Sequence, residues 1–244
     1  MHSLWNTIAY QPILNSLVLT IDKVTFGDVG FAIIIVTIFI KLLLSPLTKT
    51  SIRSQILMKK MEPELKLIKK NFPNKEEQAS KTFELYKKYN TNPFSGCLVI
   101  FIQIPFIIAL YYVFWKGLSL NPTEIYSFIH IPANINTNFL GLVDLSSKSL
   151  VLALLAGGAQ FLQGYLASPI QPKVEIIKET DIPEVKTFQE ELSGSMQTNI
   201  KYFLPIVITF FSYQISAAVA LYWFTSTMFT VAQEWYMRRK LSNN

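Results

Sequence analysis

The sequence predicts an all-α polytopic membrane protein, with five transmembrane helices around a hydrophilic interior, a cytoplasmic two-helix hairpin and an N-terminal interfacial amphipathic helix. Three observations predict it. Half of the 244 residues are hydrophobic and only 16% are charged, with a mean hydropathy of +0.31, which is too apolar for an ordinary soluble domain. The apolar residues gather into stretches of spanning length, about 20 residues each. One lysine, Lys41, stands inside such a stretch with a long basic segment behind it. An ammonium near a bilayer centre costs roughly 2.5–3.5 kcal/mol on insertion scales, so it marks a wet path or a partner.

Residues 1–26 read poorly as a span. Their apolar members Leu4, Trp5, Ile8, Ile13, Leu14, Leu17, Val18 and Ile21 favour one side, interrupted by Pro12, and predict an amphipathic helix on the outer surface. The segment lacks the cationic start and continuous apolar core of a cleavable signal. The expectation is that the short N-terminus is exported unaided or that a leader was removed before Met1.

The first span covers residues 27–48, with Pro46 ending or kinking it at the cytoplasmic side. Residues 49–93 follow as the hairpin. Ile52, Ile56, Met61, Leu65 and Ile68, then Ala79, Phe83 and Tyr86, recur at helical spacing, broken at Asn71-Phe72-Pro73-Asn74 and ended at Asn90-Thr91-Asn92-Pro93. Residues 51–90 hold ten Lys or Arg against five Glu. Lys59, Lys60, Lys66, Lys69 and Lys70 are candidates for a docking surface toward anionic headgroups, ribosomal RNA or an emerging chain, with an ordinary solvated helix pair as the alternative.

The second span is 94–115, the external loop 116–148, the third span 149–167 and a cytoplasmic loop 168–199. The apolar block 200–236 is too long for one crossing, reaching about 55 Å at ~1.5 Å per residue against a ~30 Å hydrocarbon core. It therefore folds back near Gln214 to Ser216, giving a fourth span at 200–214, a fifth at 216–236 and a tail at 237–244. Charge placement agrees, because Lys and Arg concentrate in cytoplasmic loops. Residues 1–28 carry only Lys23, which puts the N-terminus outside. Two crossings of the last block then return Arg238-Arg239-Lys240 to the cytoplasm.

Gln103, Gln160, Gln163, Thr209, Ser212, Gln214, Thr225, Ser226, Thr227 and Gln233 lie inside spans, where polar groups need neighbours or water. With Lys41 they suggest a shared hydrophilic cavity. Covalent chemistry has little to work with. His2 and His130 fall in external segments, Cys97 stands alone as a small core residue, and no phosphate loop, dinucleotide fingerprint or metal-ligand cluster is present. The reading is of a protein that is not an enzyme, needs no cofactor and works by binding and solvation.

Several motifs resemble the YidC/Oxa/Alb family of membrane protein insertases over nearly the whole length. They are Gln11-Pro12-Ile13-Leu14-Asn15-Ser16-Leu17, Lys41 with Ser45-Pro46-Leu47-Thr48, and Met61-Glu62-Pro63-Glu64-Leu65. Further on come Leu85-Tyr86-Lys87-Lys88-Tyr89-Asn90-Thr91-Asn92-Pro93-Phe94-Ser95-Gly96-Cys97, Ile102-Gln103-Ile104-Pro105 and Ala218-Val219-Ala220-Leu221-Tyr222-Trp223. The resemblance implies an ATP-independent insertase in the bacterial cytoplasmic membrane, acting on nascent membrane proteins in the phospholipid bilayer as a monomer, with no DNA partner. It implies spans enclosing a groove open to cytoplasm and lipid and closed on the outside. Lys41 matches the family's basic groove residue, usually an arginine, and a lysine there is a point charge without the bidentate fork. Thr37, Gln163, Tyr222 and Trp223 match groove residues, and Gln103 belongs to the same interior. Ribosome and Sec translocon stand as further partners, although the tail is too short to bind ribosomes as longer basic tails do.

Two alternatives stay open from the residues. A transporter or channel could use the same cavity, or an assembly chaperone could hold apolar helices without inserting them. Lys41 itself could snorkel, since it lies about 10 Å along the helix from Thr48.

Overall fold

The computed structural model describes residues 5–91, 95–115, 123–132, 134–167 and 202–242. Within these, the side chains of residues 59, 62, 69, 95–102, 115, 167, 241 and 242 fall outside the described set. The expected cytoplasmic loop at 168–199, His2 and the side chain of Cys97 therefore lie outside the described residues.

A short π-helical turn, Asn6–Tyr10, leads into α1 (Gln11–Lys23). Pro12 stands in the first turn, where a missing N–H costs nothing. Much of the stripe expected to favour one side is covered by protein, while Ile8 stays exposed. Ile13, Leu14, Leu17, Val18 and Ile21 are buried in the main core, and each such burial stabilises by about 1.5–3 kcal/mol.

Helix α2 (Val29–Leu43) starts at Asp28, whose carboxylate accepts from the Phe31 amide at 2.9 Å. It stops short of the span end expected at residue 48. The axis breaks at Leu44 and turns by 66° into α3 (Ser45–Asn71). Pro46 explains the break, since it has no N–H to donate to the carbonyl four residues back in α2, its ring crowds that carbonyl, and it is accommodated in a new first turn.

Helix α4 (Lys75–Lys88) returns beside α3 to complete the hairpin. Its Asn74 cap accepts from the Glu76 amide, and acidic residues open and basic residues close the helix in agreement with its dipole. Asn90, at φ 46°, takes the left-handed conformation that asparagine tolerates.

The remaining long helices are α5 (Ser95–Trp115), α6 (Leu150–Ala167), α7 (Leu204–Gln214) and α8 (Ala217–Ser242). The last turns of α8 extend beyond residue 236, so Arg238, Arg239 and Lys240 are helical rather than a separate tail. Basic residues favour a helix C-terminus, and Arg238 is tied four residues back to Glu234.

Strands β1 (Asn138–Phe139) and β2 (Val143–Asp144) form a small antiparallel hairpin between α5 and α6. It is strapped to the helices by the Val29 amide to Asn136 oxygen at 3.1 Å and the Ala218 amide to Leu145 oxygen at 3.1 Å. The Phe139 ring fills the space a side chain on Gly30 would need. The main core joins α1, α2, α5 and α8, with Ile129 and Leu145 from the connecting segment.

Among the described residues no single helix is long and apolar enough to cross a bilayer. The bent pair 29–43 and 45–58 passes that test together, and 103–114, 150–166 and 204–214 are shorter apolar helices.

Candidate functional site

Lys41 lies in the last turn of α2 and is 8% exposed. Its ammonium points into the bundle and donates to Gln103 Oε1 of α5 at 3.3 Å and to Thr230 Oγ1 of α8 at 3.2 Å. Both acceptors are neutral, and among the described residues no carboxylate pairs with it. The snorkelling alternative needs the ammonium outside the bundle, whereas here it closes a three-helix junction.

The network continues from Gln103. With its carbonyl toward the cation, its amide donates to the Tyr222 hydroxyl and to Ser226 Oγ at 3.3 Å. Thr230 in turn donates to the Ser226 carbonyl at 3.0 Å, inside its own helix. The lysine's charge thus fixes the orientation of a chain of otherwise adaptable groups.

Thr37, one turn earlier on α2, is 3% exposed but spends its hydroxyl on the Ile33 carbonyl at 2.6 Å. It faces a small pocket shared with Ile13 and Leu17 of α1, Phe106 and Leu110 of α5 and Tyr222 of α8. The polar junction is therefore bounded by an apolar layer on the N-terminal side of Lys41 along α2. Trp223 is half-buried against the core and Gln163 is half-buried on α6. The structure shows neither of these two in hydrogen-bond contact with the Lys41 junction.

Two buried polar residues beside the junction were missed in the sequence. Thr230 holds Lys41 directly, and Glu234, one turn further along α8, is a buried carboxylate 3% exposed. The signal was available as spacing, because Tyr222, Ser226, Thr230 and Glu234 recur every four residues and share a helix face. In the hairpin, Lys60, Lys66 and Lys70 are exposed, while the side chains of Lys59 and Lys69 lie outside the described residues.

Chemically the junction offers a buried cation solvated by neutral oxygens. Such a charge is only partly compensated for leaving water and is receptive to an anion.

The family model described as 60Kd inner membrane protein matches residues 21–244. The membrane protein insertase YidC of Clostridium tetani is 34% identical over 207 residues, covering 84% of this chain and 79% of that protein. That of Fusobacterium nucleatum is 33% identical over 222 residues, covering 91% of both. That of Francisella tularensis subsp. novicida is 31% identical over 217 residues, 87% of this chain but only 33% of that longer protein. Among solved structures, the active YidC insertase crystal structure with the first transmembrane domain resolved superposes with a TM-score of 0.59 at 21% identity. That superposition covers 95% of this chain and 46% of the other, and carries the helical fold. With the family model spanning nearly the whole chain and relatives above 30% identity matched over most of their own length, the chain belongs to the 60Kd inner membrane protein family, the YidC/Oxa/Alb membrane protein insertases.

Proposed function

We propose that the chain passes short hydrophilic segments of nascent membrane proteins through a groove headed by Lys41 and releases their apolar helices sideways into lipid, without ATP hydrolysis. The observation that carries this reading is the Lys41 junction, a buried ammonium whose described partners are the neutral oxygens of Gln103 and Thr230. A substrate carboxylate is a better partner than either. Moving that carboxylate through hydrocarbon alone is prohibitive, and a cation part-way across lowers the barrier. The substrate's apolar helix supplies the driving force by burial in lipid, about 25 cal/mol per Å².

In this reading five spans enclose the groove, with the N-terminus outside and the C-terminus in the cytoplasm. Thr37, Gln103, Tyr222 and Trp223 line the path from α2, α5 and α8, and Gln163 lines it from α6. The hairpin hangs in the cytoplasm, and its exposed Lys60, Lys66 and Lys70 suit an anionic docking partner such as the ribosome or lipid headgroups. The protein acts as a monomer, and a Sec translocon is an optional partner.

The test is protease-protected insertion of a single-span substrate with an acidic N-terminal tail into liposomes holding the purified protein. Native protein and Lys41→Arg insert the substrate, while Lys41→Ala does not. Equal insertion by all three removes Lys41 from the mechanism. No insertion by any, with substrate still bound, replaces insertion by a holding chaperone, and solute flux through the same liposomes would favour a transporter.

A further inference from the structure

Four oxygen-bearing side chains follow one another along α8 at intervals of four residues, namely Tyr222, Ser226, Thr230 and Glu234. Successive members lie on one face about 6 Å apart along the axis. All are buried, at 4%, 4%, 9% and 3% exposure. The first three serve the Gln103 and Lys41 network, and the fourth does not. Glu234 accepts from Arg238 instead, at 2.6 Å from a terminal guanidinium nitrogen and 3.1 Å from Nε.

Among the described residues Lys41 and Glu234 are the two buried charged side chains of Asp, Glu, Lys or Arg type. Lys41 reaches the stripe from α2 at Thr230, one turn before Glu234, and the structure leaves the two charges unpaired with each other. A pair that only supported the end of α8 would do so equally well with both partners in water, and burying a carboxylate is costly. The placement has an electrostatic consequence. Glu234 occupies the guanidinium nearest to it in sequence on the cytoplasmic end of α8, so Lys41 remains the buried cation with only neutral partners.

We infer that Glu234 is a specificity-determining residue for the substrate segment. By holding Arg238 it limits the receptive positive charge in the groove to Lys41, and so favours hydrophilic segments with a single carboxylate over those with two or more. The inference rests on the insertase reading above. Neutralising Glu234 frees Arg238, which is 32% exposed at its side chain and able to take a second carboxylate.

The experiment uses the full chain in liposomes with three single-span substrates whose translocated tails carry one, two or three acidic residues. Native protein inserts the one-acid substrate best. Glu234→Gln and Glu234→Ala raise the three-acid substrate relative to the one-acid substrate by about fivefold, the strength of a partly exposed ion pair. Adding Arg238→Gln to Glu234→Gln returns the native ratio. Thermal unfolding identifies which variants are folded, and either single variant suffices. A folded variant that scales all three substrates alike makes Glu234 a structural residue and overturns the inference while leaving the insertase reading standing. If native protein inserts none of the substrates, the insertase reading falls and the inference with it.

Discussion

Lys41 of α2 and Thr230 of α8, 189 positions apart in the chain, meet through a 3.2 Å hydrogen bond in the interior of the bundle. The bond sets function against stability. Lys41 is held by neutral oxygens, so its burial is incompletely compensated, and an apolar residue of similar length would pack there at less cost. Lys41→Met is expected to unfold at a higher temperature than the native protein in the same detergent, yet to lose insertion of an acidic-tailed substrate. Thr230→Val keeps the shape and removes one acceptor from the ammonium. It should lower stability by about 1.5–3 kcal/mol, the worth of a hydrogen bond to a charged group. A drop in melting temperature for Lys41→Met would show that the ammonium is structural.

Asn15 makes the comparable junction on α1. It is 2% exposed, donates to the Glu124 carbonyl at 3.0 Å and to the Gln11 carbonyl at 2.8 Å, and accepts from the Tyr126 amide at 2.7 Å. Tyr10 adds a bond to the Glu124 carboxylate at 3.1 Å. One amide therefore fastens the segment at 123–132 to α1. Asn15→Leu leaves the Glu124 carbonyl and Tyr126 amide without that partner, at about 1–3 kcal/mol each where water cannot replace it. Hydrogen exchange should rise at Tyr126 and its neighbours before it rises in α2. Unchanged exchange there would mean that the segment is held by its apolar contacts instead.

Gly30 is required by a close approach. A methyl group there would enter the Phe139 ring, which lies over the start of α2 in edge contact with Phe31, ring centroids 5.5 Å apart. Gly30→Ala is expected to cost about 1–3 kcal/mol, as overpacking does, although alanine is the better helix former. Phe139→Leu added to it should recover much of that loss. A double-mutant cycle on thermal stability reads the coupling directly, and additive effects would place the strain elsewhere.

Much of this architecture was legible because helix breaks are chemical. Pro46, Pro73 and the Gln214 to Ser216 stretch stand where helices end or turn, and Lys41 was conspicuous by its solvent. The stripe of α1 did not say whether lipid or protein would cover it, and Ile13, Leu14, Leu17, Val18 and Ile21 are covered by protein. Thr230 escaped because a threonine in a helix is ordinarily satisfied by the carbonyl four residues back, as Thr37 and Thr225 are here. Only the distant Lys41 gives Thr230 a second use. Glu234 escaped because the spacing to Arg238 four residues on does not tell a buried carboxylate from an exposed one.

The hairpin has its own polar fastening, and its pH response follows from signs alone. Glu64 of α3 accepts from the Lys88 ammonium of α4 at 3.0 Å and from the Tyr89 hydroxyl. The hydrogen bonds from Tyr89 and then Lys88 hold the Glu64 carboxyl below its ordinary range. The same bonds to Glu64 raise Lys88 and Tyr89 above theirs. A carboxylate lowered on folding contributes stability that is present above its unfolded pKa, about 4.3, and is lost as pH falls through the lower folded value. Lys88 and Tyr89, raised on folding, contribute below their ordinary values near 10 and lose that contribution as pH rises through the higher folded ones. The fastening is therefore complete across neutral pH and weakens on both sides, first by protonation of Glu64 and at the alkaline end by loss of the phenolic and ammonium protons. Spin labels on exposed positions of α3 and α4 should report a constant separation from about pH 5 to 9 and a broader distribution below pH 4. Glu64→Gln should give the broad distribution at every pH and abolish the acid transition. An acid transition that survives Glu64→Gln would assign it to another carboxylate and reduce this contact to a surface pair of no consequence.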